Sequence, residues 1–482
     1  MRLTDLVDAV DEDRGVLTRF DSRRDADIEI TDITSDSHAV RDGSLFCCVP
    51  GSRFDGHDFA VQAVAAGARA LLCQRELALE VPQIVVRNVR SAMGPVASAL
   101  FGHPSRSLTV VGVTGTNGKT TTVHLIAAIM SATGKATEII GTLSGTRTTP
   151  EAPELQQILA RARDDRRSAV AMEVSSHALA QHRVDGTKFA AAVFTNLSAD
   201  HLDYHRTMEE YFRAKARLFE PSFTDVAVID IDTTYGRLLA DSVRLPTVVR
   251  SGISTVEVLE VGVAGSTFRW RDQVVHLPLG GRFNIANAVV AADATVALGV
   301  APDAVAAALA TVKPVPGRFE RIDEGQPFTV LVDYAHTPDG LARVLEAARE
   351  VAGGGQVIVV FGCGGDRDAT KRPMMGTEAE AGAHVVVVTS DNPRHEDPQV
   401  IVDEVLRGMN ERPFAVELDR RKAIALALDA ATEADVVVIA GKGHETTQQI
   451  GDSFVYFDDR DVVRVRLREL GFGSNGTEGR PR

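Results

Sequence analysis

The chain has 482 residues, 44% of them hydrophobic and 24% charged, with a formal net charge of -14 from 52 Lys+Arg against 66 Asp+Glu. That length exceeds one compact core and predicts about three domains. The acidic balance argues against a nucleic-acid partner, which needs a concentrated basic surface, but leaves small phosphate ligands open, because loops and helix N-termini hold them whatever the net charge.

The opening MRLTDLVDAVDEDRG carries charges where a secretory leader needs an apolar core. No apolar run is long enough to span a bilayer. Cys47, Cys48, Cys73 and Cys363 include no C-x-x-C pair and read as buried, reduced thiols. A cytoplasmic protein without membrane insertion is expected, acting as a monomer.

Residues 1–90 predict a small α/β unit: strand Ser44–Pro50, helix Asp58–Ala66, and strands Ala70–Cys73 and Gln83–Val86. A helical stretch then runs to the breaker cluster Gly102-His103-Pro104-Ser105, so the first boundary falls between 90 and 106. The middle region, 91–316, opens on the apolar strand Leu108–Val113, a Gly-rich loop and the helix Thr121–Ala132. Ser168–Val174, Ala190–Thr195 and Val226–Asp230 are further buried-type strands separated by helical segments, the signature of a mostly parallel sheet. Val256–Leu279 instead alternates with period two, and helices Ile285–Leu298 and Ala304–Thr311 follow. After a linker at 313–317, strand–helix alternation restarts over 317–482. Its strands are Phe328–Val332, Val357–Phe361, Val385–Thr389, Phe414–Leu418 and Val436–Ala440; its helices are Gly340–Val351, Pro398–Met409 and Lys422–Ala431. This is a second doubly wound, Rossmann-like unit. The tail from Gly471 is expected to be disordered. The fold class is therefore α/β in three domains, 1–90, 91–316 and 317–482.

Gly115-Thr116-Asn117-Gly118-Lys119-Thr120-Thr121 follows a strand and opens a helix, the context in which a Gly-rich loop cradles phosphate. Backbone N–H groups converge on phosphate oxygens, Lys119 supplies a cation, and the Thr120 hydroxyl is placed to ligate Mg²⁺. Val113 stands where the common P-loop has its first glycine, so the pattern is a G-x-x-G-K-T variant. Nucleotide binding follows; the reaction does not.

Three further features narrow the chemistry. Glu173 ends a strand and is followed by Ser175, Ser176 and His177. The polar run Thr195–Asp203 contains His201. Lys215 lies in an otherwise apolar and basic helix, Tyr211–Phe219. Singly these read as a cap, a satisfied loop histidine and a solvated lysine. Jointly, beside a P-loop, they point to metal and phosphate chemistry.

The segments GTNGKTT, EVSSHAL, TNLSADHLDYH, AKARLF, GRFNIANA, PGRFE, DYAHTPDG, GCGGDRD, DNPR and GKGHE span residues 115–445 and, in that order, resemble the Mur ligase family. DSHAVRDGSLF and PGSRFDGHDF resemble that family's uridine-binding domain. The resemblance implies ATP-dependent amide-bond formation in peptidoglycan synthesis: ATP phosphorylates a substrate carboxylate, and an amine attacks the acyl phosphate. It implies ATP and Mg²⁺, with Thr120, Glu173 and His201 at metal and Lys215 as a carbamylated lysine. Asn287, Arg318, Asp333 and His336 match ATP contacts; Ser35, Ser37, Thr148, Thr149, Ser175, Gln181 and Arg183 match contacts to UDP-N-acetylmuramoyl-L-alanyl-D-glutamate. His38 departs from the arginine frequent in the family.

Arg367, Asp391, Asn392, Pro393, Arg394, Gly441 and Glu445 match a pocket for meso-2,6-diaminopimelate, whose second carboxylate suits a guanidinium fork. Lysine-adding relatives lack an arginine at position 394. A lysine-adding sister enzyme, a folylpolyglutamate synthase and a non-catalytic nucleotide sensor are the competing readings. Arg394 speaks against the first, the uridine-type first domain against the second, and the retention of Lys119, Glu173, His201 and Lys215 against the third.

Overall fold

The computed structural model describes residues 1–11, 17–19, 28–51, 54–145 and 147–473; most of the tail expected to be disordered lies outside them. Three sheets with covering helices each carry a core of their own.

In the first unit Asp32–Thr34, Ser44–Cys47, Ala68–Cys73 and Gln83–Val86 run parallel, and Leu17–Arg19 closes the far edge antiparallel. The strand expected to reach Pro50 stops at Cys47. Pro50 has no N–H to extend a ladder and makes a single bridge to Asp55. The helix expected from Asp58 is a 3₁₀ turn at Gly56–Phe59, capped by the Asp55 carboxylate, and turns α-helical only over Ala60–Ala65. Asn88 caps the helix Val89–Leu100, which buries Val89, Met93 and Val96 in this first core. Its apolar face thus belongs to the first sheet beyond residue 90.

The central sheet has six strands, all parallel, in the order Thr247–Ser251, Val226–Asp230, Ala191–Phe194, Thr109–Thr114, Ala169–Glu173 and Thr137–Ile140. Its strands are short runs of Val, Ala and Ile, as burial on both faces requires. From Thr109–Thr114 the chain lays its next two strands on one side and the following three on the other. The P-loop strand therefore sits at the switch point, where ligands bind outside the carboxyl ends of strands. Helices Lys119–Ala132 and Arg282–Ala297 cover one face. The period-two segment forms the antiparallel meander Glu257–Val261, Ser266–Trp270 and Gln273–Leu277, sending Phe268, Trp270 and Val275 into the same core.

The third sheet runs Glu320–Ile322, Thr329–Asp333, Val436–Ala440, Val357–Phe361, Val385–Val388, Ala415–Val416, parallel except for its first edge strand. Pro338–Ala352, Lys371–Gly382 and Pro398–Leu406 cover one face; Arg420–Ala430 and Asp459–Glu469 cover the other. The strand expected over Phe414–Leu418 contracts to two residues, with Phe414 exposed. A hairpin, Thr447–Ile450 and Ser453–Tyr456, stands off the sheet.

The second and third units touch across a cleft. Asn117 Nδ2 donates to Asp339 Oδ2 at 2.9 Å, Arg282 pairs with Glu350 at 2.8 Å, and the rings of Phe283 and Phe319 meet edge to face at 5.2 Å. Among the described residues no helix is long and apolar enough to cross a membrane.

Candidate active site

The P-loop is fixed from below by the neighbouring strand end. The Asn117 N–H donates to Asn196 Oδ1 at 2.9 Å, while Asn196 Nδ2 and Thr195 Oγ1 donate to Asn117 O at 3.1 and 2.6 Å. Gly118 has φ +83°, and a Cβ there would run into Asn287 Oδ1, so only glycine serves. The Lys119 ammonium donates to Gly115 O and Thr116 O at 2.9 and 2.7 Å. Burial lowers its pKa and Arg318 adds to the effect, while Glu173 and Asp200 oppose it.

Glu173 is 1% exposed; its Oε1 accepts from Thr120 Oγ1 at 3.1 Å and from the Thr142 N–H at 2.9 Å. Lys215, also 1% exposed, donates to Gly115 O at 2.7 Å and lies 4.7 Å from the Tyr211 ring centroid. Burial, reinforced by Lys119, drives its pKa far below the ordinary lysine value. His201 is in the left-handed region at φ 55°, with Nε2 3.3 Å from Asp200 Oδ2 and its ring edge-on to His177. Burial brings its pKa down to about 3 against the pull of Asp200.

From the third unit, Arg318 Nη2 reaches Thr120 Oγ1 at 3.1 Å, its guanidinium lies 4.4 Å over the Tyr334 ring, and its Nε is buried without a partner. Asp333 accepts from the N–H groups of Phe319 and Ala335 at 2.6 and 2.8 Å, and burial raises its pKa. His336 Nδ1 lies 2.8 Å from Tyr334 O. A single cavity of about 270 Å³ is lined by Thr116, Asn117, Gly118, Lys119, Thr120, Thr121, Thr148, Glu173, Ser175, His201, Asn287, Arg318, Asp333 and His336. Lys215 is not among the lining residues; it shares the Gly115 carbonyl with Lys119.

Two desolvated lysines and an orphaned guanidinium N–H suit a polyanion such as ATP. Among the described residues no three His, Cys, Asp or Glu side chains converge as a ready metal cage. Mg²⁺ usually takes one or two protein ligands and completes its shell from phosphate oxygens and water, and the Glu173 carboxylate, 3.1 Å from the Thr120 hydroxyl beside the loop, is of the right chemistry for that.

On the opposite lip, Thr149 Oγ1 donates to Glu173 O at 2.9 Å, and Ser175 Oγ caps a short helix through the Ala178 N–H. Arg183 donates to Thr149 O at 3.1 Å and Gln181 Oε1 at 2.7 Å. Ser35 and Ser37 follow the strand Asp32–Thr34 in the first unit and do not line the cleft.

Arg367, Asp391, Asn392, Pro393, Arg394, Gly441 and Glu445 gather at the carboxyl ends of the third sheet, apart from the cavity. Arg394 Nη1 donates to Gly365 O at 2.6 Å, and its backbone bonds the hairpin through Gln449 O and the Gly451 N–H. Asn392 Nδ2 donates to Glu445 Oε2 at 2.8 Å, while Asn392 Oδ1 accepts from the Gln449 N–H at 2.9 Å and from Lys442 at 3.3 Å. Lys442, wholly buried, also reaches Glu445 Oε2 at 3.1 Å and Thr447 O at 2.6 Å.

Asn196, Asp200, Tyr211 and Lys442 take part in these networks, although sequence reasoning gave none of them a role. All but Tyr211 lie inside motif runs, Lys442 in the same run as Glu445. Tyr211 could have been found only from its place four residues before Lys215 on one helix face.

Family models describe the Mur ligase family catalytic domain over residues 29–100, the Mur ligase middle domain over 113–295 and the Mur ligase glutamate ligase domain over 317–443. The chain is 43% identical over 476 residues to a UDP-N-acetylmuramoyl-L-alanyl-D-glutamate--2,6-diaminopimelate ligase of Streptomyces coelicolor, covering 92% of this chain and 94% of the relative. It is 44% identical over 473 residues to the ligase of that name from Geobacillus kaustophilus, covering 92% and 96%. A solved structure of a ligase with that name superposes with TM-score 0.67 at 33% identity, covering 96% of this chain and 99% of the other. A MurF ligase of Thermotoga maritima in complex with ADP shares the fold at TM-score 0.64 and 20% identity, covering 92% and 97%. With relatives this similar matched almost end to end, and a P-loop, buried lysine and third-unit arginine meeting in one cleft, the chain belongs to the Mur ligase family.

Proposed function

We propose that this chain is an ATP-dependent acid–amino-acid ligase. It joins meso-2,6-diaminopimelate to UDP-N-acetylmuramoyl-L-alanyl-D-glutamate, giving the UDP-muramoyl-tripeptide of peptidoglycan synthesis with ADP and phosphate as the other products. The observation that carries the reading is the convergence of Lys119, Glu173 and Lys215 from the central unit with Arg318 from the third, beside a separate cluster built around Arg394. The first unit, by way of Ser35 and Ser37, receives the uridine end. The enzyme works in the cytoplasm.

Phosphoryl transfer calls for clamped phosphates and neutralised charge more than covalent help from the protein. Lys119, released from its loop carbonyls, pairs with the outer phosphates, and Arg318 answers the charge that develops on the transferred group. Thr120, Glu173 and His201 would hold Mg²⁺, which supplies further charge neutralisation when bound. Burial, reinforced by Lys119, lowers the Lys215 pKa and so favours its neutral form, and a neutral amine adds CO₂ to become a carbamate with loss of a proton. That anion would relieve the crowding of cations beneath the loop. The substrate carboxylate takes the phosphoryl group, the acceptor amine attacks the acyl carbon, and the tetrahedral intermediate expels phosphate. Arg394 pairs with the distal carboxylate of the acceptor, Glu445 accepts from its ammonium end, and the Asn392 amide donates to a carboxylate.

Phosphate release measured with ATP, the UDP-muramoyl-dipeptide and a panel of amines tests the whole reading. Release that requires both the dipeptide and diaminopimelate is expected. Release with either alone, or with lysine as readily as with diaminopimelate, would overturn it.

A further inference from the structure

One arginine of the third unit is buried beside the acceptor cluster. Arg372, in the helix Lys371–Gly382, is 1% exposed, and its guanidinium reaches three other segments. Nη1 donates to Glu396 Oε2 and to Glu404 Oε2, both at 2.8 Å. Nη2 donates to Glu396 Oε1 at 2.9 Å and to Gly364 O at 3.2 Å. Burial works against its charge, but the bonds to Glu396 and Glu404 outweigh it and raise its pKa. Glu396 Oε1 also accepts from the Asp366 N–H at 2.5 Å. The loop at 364–367, which carries Arg367, is thereby stitched to the loop at 391–396, which carries Arg394.

The stitch answers a need of those loops. Asp366 and Arg394 both sit in the left-handed region, at φ 51° and 52°, where residues other than glycine rarely stay without support from their surroundings. The loops also run close together: the Gly365 N–H donates to Asn392 O at 2.9 Å, and a Cβ at Gly365 would collide with Pro393 O. A buried ion pair is often worth no more to stability than apolar packing of equal volume, so stability alone gives Arg372 little reason to be there. We infer that Arg372 is a positioning residue for the choice of amino acid: through Gly364 and Glu396 it fixes the backbone from which Arg394 extends. The inference rests on the proposed function, in which Arg394 takes the distal carboxylate of the acceptor. A guanidinium fork pairs with a carboxylate at two points in a defined geometry. Displacing its backbone would spoil that pairing without touching the phosphate loop.

The test compares the two carboxylates that Arg372 holds. Glu396 joins it to the loops, whereas Glu404 bonds it from the helix Pro398–Leu406. Their side chains are 32% and 25% exposed, so Glu396→Gln and Glu404→Gln empty no core. Arg372→Lys keeps the charge but loses the fork. Steady-state kinetics and thermal melts are run on the full chain. Arg372→Lys and Glu396→Gln are each expected to lower kcat/KM for diaminopimelate by about 10²-fold, mainly through KM. The KM values for ATP and the UDP-muramoyl-dipeptide should stay unchanged. Glu404→Gln should lower the melting midpoint as Glu396→Gln does, yet leave the KM for diaminopimelate as in the wild type. Should Arg372→Lys fail to fold, the two glutamine variants decide alone. Equal KM shifts in that pair, or none in either, would make Arg372 a tie between helices and overturn the inference. A KM for ATP that rises in step with that for diaminopimelate would mark general loosening and overturn it equally. The underlying reading fails separately: a wild type that does not ligate diaminopimelate refutes the acceptor assignment before any variant is made.

Discussion

Two lysines are almost fully buried in this molecule, and their surroundings are opposite. Lys442 is surrounded by acceptors: Glu445 Oε2, Asn392 Oδ1 and Thr447 O all lie within 3.3 Å. Lys215 has one carbonyl and an aromatic ring, with Lys119 as a charged neighbour. A buried ammonium that is paired holds structure together; one left beside another cation is pushed towards its neutral, nucleophilic form. The same residue type is therefore a fully paired structural group beside Asn392 and Glu445 and an amine without a carboxylate partner under the phosphate loop.

The largest expected effect comes from removing the loop cation. Lys119→Ala should lower turnover by roughly 10²–10³-fold or more while the thermal midpoint stays within a few degrees, because the side chain binds only its own loop. Normal ATP turnover by the folded variant would refute the phosphate role. The contrast between the buried lysines is then tested directly. Lys215→Ala should be inactive and regain part of its rate with added short-chain carboxylic acids, which restore an anion in the vacated space. Lys442→Met should instead lose stability, by about 1–3 kcal/mol for an acceptor set left unpaired, and no carboxylic acid should restore it. Rescue of both variants, or of neither, would erase the distinction.

Arg394→Ala should act on selectivity alone. The wild type is expected to prefer diaminopimelate over lysine by up to about 10⁴-fold, because lysine leaves the guanidinium without its carboxylate. The variant should lose most of its diaminopimelate kcat/KM with the KM for ATP unchanged, and it gains no lysine activity, since no new contact is supplied. Equal use of both amino acids by the wild type would remove Arg394 as the selector. The smallest effect concerns His444, which burial holds down to about 4 from an ordinary 6.5. The unfolded chain binds that proton first, so stability from this group is complete above pH 6.5 and drains away as pH falls towards 4. His444→Phe should flatten that part of the stability curve by about 1 kcal/mol after allowance for partial exposure. An unchanged slope in denaturant titrations between those pH values would count against it.

Much of this was legible in the sequence. Buried parallel strands are short β-branched runs, so Val357–Phe361 and Val436–Ala440 fall where the pattern puts them, and the phosphate loop is announced by the strand before it. The helix Lys371–Gly382 escaped notice because Pro373 and Gly376 interrupt its pattern and only Arg372, Met375, Gly376 and Ala379 are buried. The strand expected over Phe414–Leu418 is there but shorter, because only Ala415 and Val416 pair with the neighbouring strand. Within the site, motif residues could be named, but not the clamp of Thr195 and Asn196 on the loop or the reach of Arg318 to Thr120. Those contacts join residues 78 to 198 positions apart, and no local periodicity encodes them.

The Arg318–Thr120 contact has a consequence for the order in which ligands arrive. The Thr120 hydroxyl gives its hydrogen to Glu173 and takes one from Arg318, so both of its faces are occupied before any ligand enters. Thr120 would be free to hold a metal only once the guanidinium, which belongs to the other unit, lets go of its hydroxyl, and phosphate oxygens would offer that guanidinium a better partner. On the proposed function, nucleotide and metal would therefore be taken up most easily together. The third unit would sense the exchange, because the arginine that is handed over belongs to it.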